Sequence, residues 1–295
     1  MPPDDSAPPD AAFAAHRDHL RGVAYRMLGS LAEADDAVQE AWLRLHRADA
    51  GAIDNLRAWL TTVIARICLD MLRSRKARRE EPIDAKATIA AAYADTAAHP
   101  EHEAVLADSV GLALLVVLDT LSPAERLAFV LHDLFAMPFD EIAPLVRRTP
   151  AATRQLASRA RRRLQGAPTA SDAELARQRR VVEAFLAAVR GGDFEAIVAV
   201  LDPEVAVQAD TEPGQPPRTL RGARTWARGA MQFARHIQLA RVVLVDGAVG
   251  LIMAPRGQLA RALRFTFAGD RIAEVDVVSD PHRLRQLTLG VLPDA

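Results

Sequence analysis

Residues Phe139 to Leu164 read FDEIAPLVRRTPAATRQLASRARRRL, and this stretch decides the fold of the middle of the chain. Phe139 to Val146 carries a short helical pattern, Arg147-Arg148-Thr149 interrupts it, and Pro150 supplies the fixed φ that suits the first turn of a new helix. On that second helix Ala152, Leu156, Ala160 and Leu164 recur at four-residue steps and predict a buried stripe. Arg154, Gln155, Ser158, Arg159 and Arg162 share the opposite face. Such a face suits a DNA major groove: arginine reaches guanine edges and phosphates, glutamine reaches adenine, and serine permits close approach. A solvated arginine-rich helix end has the same composition, because arginine also complements the negative end of a helix dipole. The helix and turn ahead of it favour the groove. Turns of this kind often contain glycine, whereas Arg147 stands here.

Charge is sorted along the chain in the same sense. Arg147 to Arg163 holds seven arginines and no acid, and Arg66 to Arg79 holds six basic residues against Asp70 alone. Glu33 to Glu40 holds four acids and no base. The net charge of −1 therefore conceals differently charged surfaces, which fits more than one macromolecular partner. The 295 residues are too many for one small core and predict two or three units. Half the residues are hydrophobic and a quarter charged, which excludes a disordered or collagen-like chain. No apolar run approaches the roughly 18 residues of a membrane helix, and MPPDDSAPPD at the start lacks the blocks of a secretion signal. The single cysteine, Cys68, excludes an internal disulfide and a cysteine-rich zinc site. His16/His19 and His99/His102 have three-residue spacing without an evident third ligand, so no metal is expected. A cytoplasmic protein without cofactor or membrane contact follows.

Two earlier segments carry further signals. Asp35 to Leu45, DDAVQEAWLRL, predicts a helix with Ala34, Val38, Trp42 and Leu45 as its apolar stripe. Asp35, Asp36, Gln39 and Glu40 gather near its start, where acids also suit the dipole. Asn55 to Arg75, NLRAWLTTVIARICLDMLRSR, predicts an amphipathic helix with Leu56, Leu60, Val63, Ile64, Ile67 and Met71 on the core side. Asn55, Arg57, Thr61, Thr62, Arg66, Arg73 and Arg75 fall on its polar side with Trp59 close by. That mixture can track a backbone and hold unstacked bases; Trp59 is also an ordinary core residue.

The organisation predicted is a tail at 1–10, a helical unit at 11–79, a linker at 80–100, a helical unit at 101–165, a second linker at 166–171 and an α+β unit at 172–295. Ser122-Pro123 marks a helix start in the second unit. The last unit opens with helices split by Gly191-Gly192-Asp193. Alternating β-branched runs follow, with Asp246-Gly247 and Gly269-Asp270 as turns, and predict an antiparallel sheet.

The three segments in this order resemble bacterial RNA polymerase sigma factors of the extracytoplasmic-function type, over residues 11–165. DDAVQEAWLRL is similar to the helix of region 2 that grips core polymerase, the following segment to the helix that engages the −10 element, and Leu118 to Leu164 to region 4, which reads the −35 element. The resemblance implies roles by position. Asp35, Asp36, Gln39 and Glu40 would meet the clamp coiled-coil of core RNA polymerase, region 4 its flap. Asn55, Arg57, Thr61 and Arg66 would hold the melted −10 strand, with Arg73 and Arg75 on phosphate. Arg154, Gln155, Ser158, Arg159 and Arg162 would enter the −35 groove. Residues 172–295 resemble the SnoaL-like cone that some of these factors carry as a regulator in cis. Asp280, Pro281, Arg283 and Leu284 resemble that subgroup's Asn-Pro-Asp-Lys-Leu signature; its glycine-rich loop is replaced by Asp210 to Arg218. The resemblance leaves room for a separate anti-sigma factor or a small-molecule ligand in the cone. Two other classes give competing expectations. In an isomerase or hydrolase of the cone fold, Asp210, His236 and Asp276 would be acid–base candidates. A plain helix-turn-helix repressor would have no use for the acidic surface at 35–40.

Overall fold

A computed structural model of the chain describes residues 9–48, 53–79, 111–210, 217–232, 237, 240–254 and 259–292. The expected linker at 80–100, with His99, lies outside the described residues, as do His102, His236 and residues 1–8 of the tail. Pro9 and Asp10 are the start of a helix instead of tail. The described residues fall into two compact units. The first comprises the described parts of Met1–Ile83 with Leu121–Arg161, and the second those of Asp84–Thr120 with Arg162–Ala295. Where the sequence suggested three units, most of the second helical segment thus joins the first.

The first unit begins with α1 (Pro9–Ala14), α2 (Arg17–Leu28), α3 (Leu31–Arg47) and α4 (Leu56–Arg79). Gly29 ends α2 at a φ of 75°, a left-handed cap that costs glycine little, and Ser30 then caps α3 by accepting from the Glu33 N–H. Leu20, Met27 and Leu28 of α2 and Leu60, Ile64 and Leu69 of α4 are fully buried. Ala34, Ala37 and Ala41 of α3 have no exposure, and their small size brings α3 close to its neighbours. Trp42, expected in the α3 stripe, is 36% exposed instead. The alanines, with Val38 and Leu45, complete the stripe one position short of it.

Helix α5 (Leu112–Asp119) belongs to the second unit. The first unit resumes with α6 (Pro123–Phe129), opened by a full capping box between Ser122 and Glu125 as Ser122-Pro123 led one to expect. A π-helical turn (Val130–Leu134) follows, then α7 (Phe139–Val146) and α8 (Pro150–Leu164). Arg147 adopts the left-handed region at φ 54° in the turn between them, where its N–H and that of Arg148 bond carbonyls at the end of α7. The turn forms without glycine, at an internal cost of about 1 kcal/mol.

The second unit continues with α9 (Asp172–Gly191), α10 (Phe194–Ala199), β1 (Leu201–Ala209), β2 (Arg218–Arg221), α11 (Ala223–Gln232), β3 (Ala240–Val245), β4 (Ala248–Met253), β5 (Arg261–Ala268), β6 (Arg271–Val278), α12 (Pro281–Gln286) and β7 (Leu289–Gly290). The sheet runs β2-β1-β6-β5-β4-β3-β7. Asp246 and Gly247 take positive φ at the β3–β4 turn and Gly269 at the β5–β6 turn, as these hairpins require. The sheet is mixed, a correction to the antiparallel expectation. β1 and β6 pair in parallel, because the chain reaches β6 only after β2, α11 and β3–β5 and returns in the direction of β1. Val182, Phe185 and Val189 of α9 pack with Val205, Leu251, Leu263, Phe265 and Val275 in one core.

Candidate functional site

The acidic surface stands on α3. Its stripe turns inward, so Asp36 and Gln39 are exposed while Asp35 and Glu40 are half-buried. Asp35 accepts two hydrogen bonds from Arg21, at 2.7 and 2.9 Å, and Glu40 accepts from Arg44 at 3.0 Å. The fork of Arg21 fixes the direction of the Asp35 carboxylate. Trp42 extends this surface: its indole N–H donates to Asp10 at 3.2 Å and its ring lies 4.1 Å from that of His46. The indole is thus held at the surface by Asp10 and His46, and its exposure was not legible from the helical period.

The basic helix α4 divides its predicted residues. Arg57, Arg66 and Arg73 hold their heads in solvent. Asn55 is exposed, but its Oδ1 accepts from the Ala58 N–H at 3.0 Å and caps the helix. Thr61 is only 4% exposed; its hydroxyl donates to the Arg57 carbonyl and lies 3.1 Å from the His19 ring nitrogen. Arg75 reaches back to the Leu28 carbonyl at 3.1 Å and pairs with Glu33. In this arrangement Thr61 and Arg75 therefore join helices within the unit instead of facing solvent. Polar groups at the right helical angle had suggested otherwise.

The third surface is the outer face of α8. Arg154, Gln155, Arg159 and Arg162 are exposed and Ser158 is half-buried, so the predicted face is presented together. Thr153, Leu156, Ala157, Ala160 and Leu164 are buried. Ala152, expected inside, is half-exposed because Thr153 takes its place, its hydroxyl donating to the Thr149 carbonyl. Arg154 lies over the Phe139 ring at 5.3 Å, and Arg159 is 3.5 Å from the buried carboxylate of Glu125. Arg161 pairs with Asp133 at 2.7 Å. One aromatic and two acidic partners, on α7, α6 and the π turn, thus set these arginine heads.

In the second unit the sequence signature forms the start of α12. Asp280 caps it by accepting from the His282 and Arg283 N–H groups, Pro281 occupies its first turn, and Leu284 is buried. Arg283 pairs with Asp210 and, at 2.7 Å, with Asp276, so these two carboxylates do meet in the fold. Asp210 also accepts from the Ser279 and Asp280 N–H groups at 2.8 and 2.9 Å. Burial by itself would raise the Asp210 pKa; the Asp280 and Ser279 N–H groups and the Arg283 guanidinium outweigh it and hold the carboxyl below its ordinary range. Its contribution to stability is complete above the titration of an unfolded aspartate and is lost as pH falls through the lower folded value. Asp210→Asn should therefore loosen α12 at neutral pH, at a cost of about 1–3 kcal/mol. Thermal melts of both proteins from pH 7 to pH 3 check this, the difference between them shrinking on acidification. Among the described residues no group of three His, Cys, Asp or Glu is gathered as for a metal ion.

Helix α5 and the last residues of α8 belong to the second unit. α5 packs on β3, and at the far end the Leu164 carbonyl accepts from the Val291 N–H at 2.6 Å. A Cβ on Gly290 would stand 2.7 Å from the Gly166 Cα, so only glycine lets the chain leaving α8 lie against β7.

An acid-faced helix, a basic helix and an arginine-faced helix-turn-helix stand on one chain, the surfaces a transcription initiation factor of the sigma type would use. The family models of Sigma-70 region 2 and Sigma-70, region 4 match residues 12–78 and 111–164. The chain is 37% identical over 284 residues to the probable ECF RNA polymerase sigma factor SigI of Mycobacterium tuberculosis, covering 95% of this chain and 96% of that protein. It is 42% identical over 214 residues to the ECF RNA polymerase sigma factor SigJ of the same organism, 72% of this chain and 68% of SigJ. The crystal structure of SigJ from Mycobacterium tuberculosis aligns at 30% identity over 93% of this chain and 98% of that one, with a TM-score of 0.45. The chain belongs to the extracytoplasmic-function RNA polymerase sigma factors.

Proposed function

We propose that this sigma factor binds core RNA polymerase through Asp35, Asp36, Gln39 and Glu40 with Trp42 as an added anchor, and directs it to promoters. Arg57, Arg66 and Arg73 track the opened −10 strand. Arg154, Gln155, Ser158, Arg159 and Arg162 enter the −35 groove. Asn55 acts on the strand through the start of α4 that it caps, and Thr61 and Arg75 act by positioning α4. Two weak readers on one large enzyme gain specificity through effective concentration. No bond is made or broken: binding energy holds unstacked bases, so the chain is a binding factor and not an enzyme. Its place of work is the cytoplasm, with the polymerase; no described helix is long and apolar enough to cross a membrane.

The observation that carries this reading is the solvent-facing set Arg154, Gln155, Arg159 and Arg162 on the second helix of a helix-turn-helix. The α+β unit, read as SnoaL-like, is a regulator in cis. Its support is the grip of that unit on α5 and on the end of α8. The Asp210–Arg283–Asp276 ion pairing supports a structural use of those carboxylates instead of acid–base chemistry. For the polymerase surface, Asp36→Lys with Gln39→Lys is the test, since both side chains are exposed and the fold should tolerate the change. Capture of core polymerase should fall about tenfold or more, because like charges then face the partner. Undiminished capture would remove α3 from the polymerase contact.

A further inference from the structure

Glu125 on α6 is a carboxylate taken out of water, only 5% exposed, and a buried charge needs a cation. One half of it serves the helix start. Oε2 accepts from the Ser122 N–H at 3.1 Å and from the Ser122 hydroxyl at 2.7 Å, and the Ser122 oxygen accepts from the Glu125 N–H. Glutamine closes a capping box of this kind as well as glutamate does, so the cap does not call for the charge. The other oxygen faces α8. Oε1 lies 3.5 Å from the Arg159 Nε, at the side of the guanidinium and not at its tip.

Which side of the guanidinium is taken decides what remains. The group holds five N–H donors in one rigid plane, and a paired N–H edge matches the O6 and N7 acceptors of guanine. With Nε turned to Glu125, the Nη1–Nη2 edge is left for a ligand, and the Arg159 side chain is 50% exposed. Docking a free arginine costs rotamer freedom, and a carboxylate fixed at its far oxygen removes part of that cost before binding. Arg154 offers the contrast: its neighbour is the Phe139 ring at 5.3 Å, which has no oxygen to orient an N–H. We propose that Glu125 is a positioning residue for promoter reading, holding Arg159 by Nε so that the Nη1–Nη2 edge meets a guanine of the −35 element. The inference rests on the groove assignment of α8 given above and deepens it, naming the edge used and the base that edge fits. Glu125 itself stays buried and touches no DNA.

The test uses holoenzyme assembled from the full chain and core RNA polymerase, with run-off transcription from promoters changed one −35 base pair at a time. Arg159→Ala identifies the base pair that Arg159 reads: discrimination there should fall about fivefold or more, and the pair should contain guanine. Arg154→Ala identifies its own base pair in the same way. Glu125→Gln, which keeps the capping box, should relax the Arg159 base pair about threefold or more and leave the Arg154 base pair as it was. Loosening of the fold alone would lower both. With Arg159 already alanine, Glu125→Gln should cost nothing further at that position. Arg159→Lys should behave there like Arg159→Ala, because one ammonium cannot hold Glu125 and also span two acceptors. Full discrimination at the Arg159 base pair in the Glu125→Gln protein would overturn the positioning role, as would equal losses at both base pairs. Full discrimination in the Arg159→Lys protein would overturn it too, and this substitution at an exposed position decides the matter even where Glu125→Gln fails to fold. Arg159→Ala without effect at any −35 base pair would instead remove the groove assignment, and the positioning role with it.

Discussion

Replacing Arg154 and Arg159 together by alanine should abolish most discrimination at the −35 element while leaving core polymerase binding intact. Each arginine head is exposed on the face of α8, and each lost base contact costs about 1–3 kcal/mol of discrimination. The double variant should therefore initiate from −35-mutant and intact promoters at nearly equal rates. Equal discrimination by variant and parent in run-off transcription would remove α8 from the groove. Arg159→Ala carries a second consequence, because it takes away a cation 3.5 Å from the buried Glu125 carboxylate. A modest fall in melting temperature should accompany that substitution and not Arg154→Ala, whose head only rests over Phe139.

The second large effect concerns the α+β unit. Gly290→Ala places a methyl group 2.7 Å from the Gly166 Cα, where backbone and not a flexible side chain must yield. Overpacking of this kind costs about 1–3 kcal/mol and acts on the chain leaving α8 at Gly166, four residues beyond the last of the −35 arginines assigned above. Promoter-specific activity of the full chain should change several-fold, with capture of core polymerase kept. Deletion of residues 166–295 should act more strongly. It strips β3 from α5, whose Leu115, Val116, Val117 and Leu118 are buried, and bares an apolar helix at the start of region 4. The truncated chain should melt lower and differ strongly in transcription from the full chain. A truncation that matches the full chain in both measurements would end the idea of a regulator in cis.

Much of this arrangement was legible in the residues. The α8 face follows from period 3.6 alone, since Arg154, Gln155, Ser158, Arg159 and Arg162 cannot turn inward while Leu156, Ala160 and Leu164 are buried. The β3–β4 turn follows from Asp246-Gly247, which accept positive φ. Other features depend on tertiary choices that one segment does not record. Trp42 and Ala41 both fit a stripe through Val38 and Leu45, and the alanine wins because α3 packs closely. Asn55, Thr61 and Arg75 sit at the angle of a nucleic-acid surface, yet capping and cross-helix bonding ask for the same polar groups. Arg126 gave no local signal at all, because its acceptor at Arg26 is 100 residues away. The parallel pairing of β1 with β6 is likewise a property of the connections and not of either strand.

The most direct measurement is run-off transcription with purified chain and core RNA polymerase on a library of promoter fragments. A sigma factor of this build should bind core polymerase and yield transcripts that start downstream of paired −35 and −10 elements, with Arg154→Ala/Arg159→Ala relaxing the upstream one. No association with core polymerase, or transcripts identical with and without the chain, would contradict it.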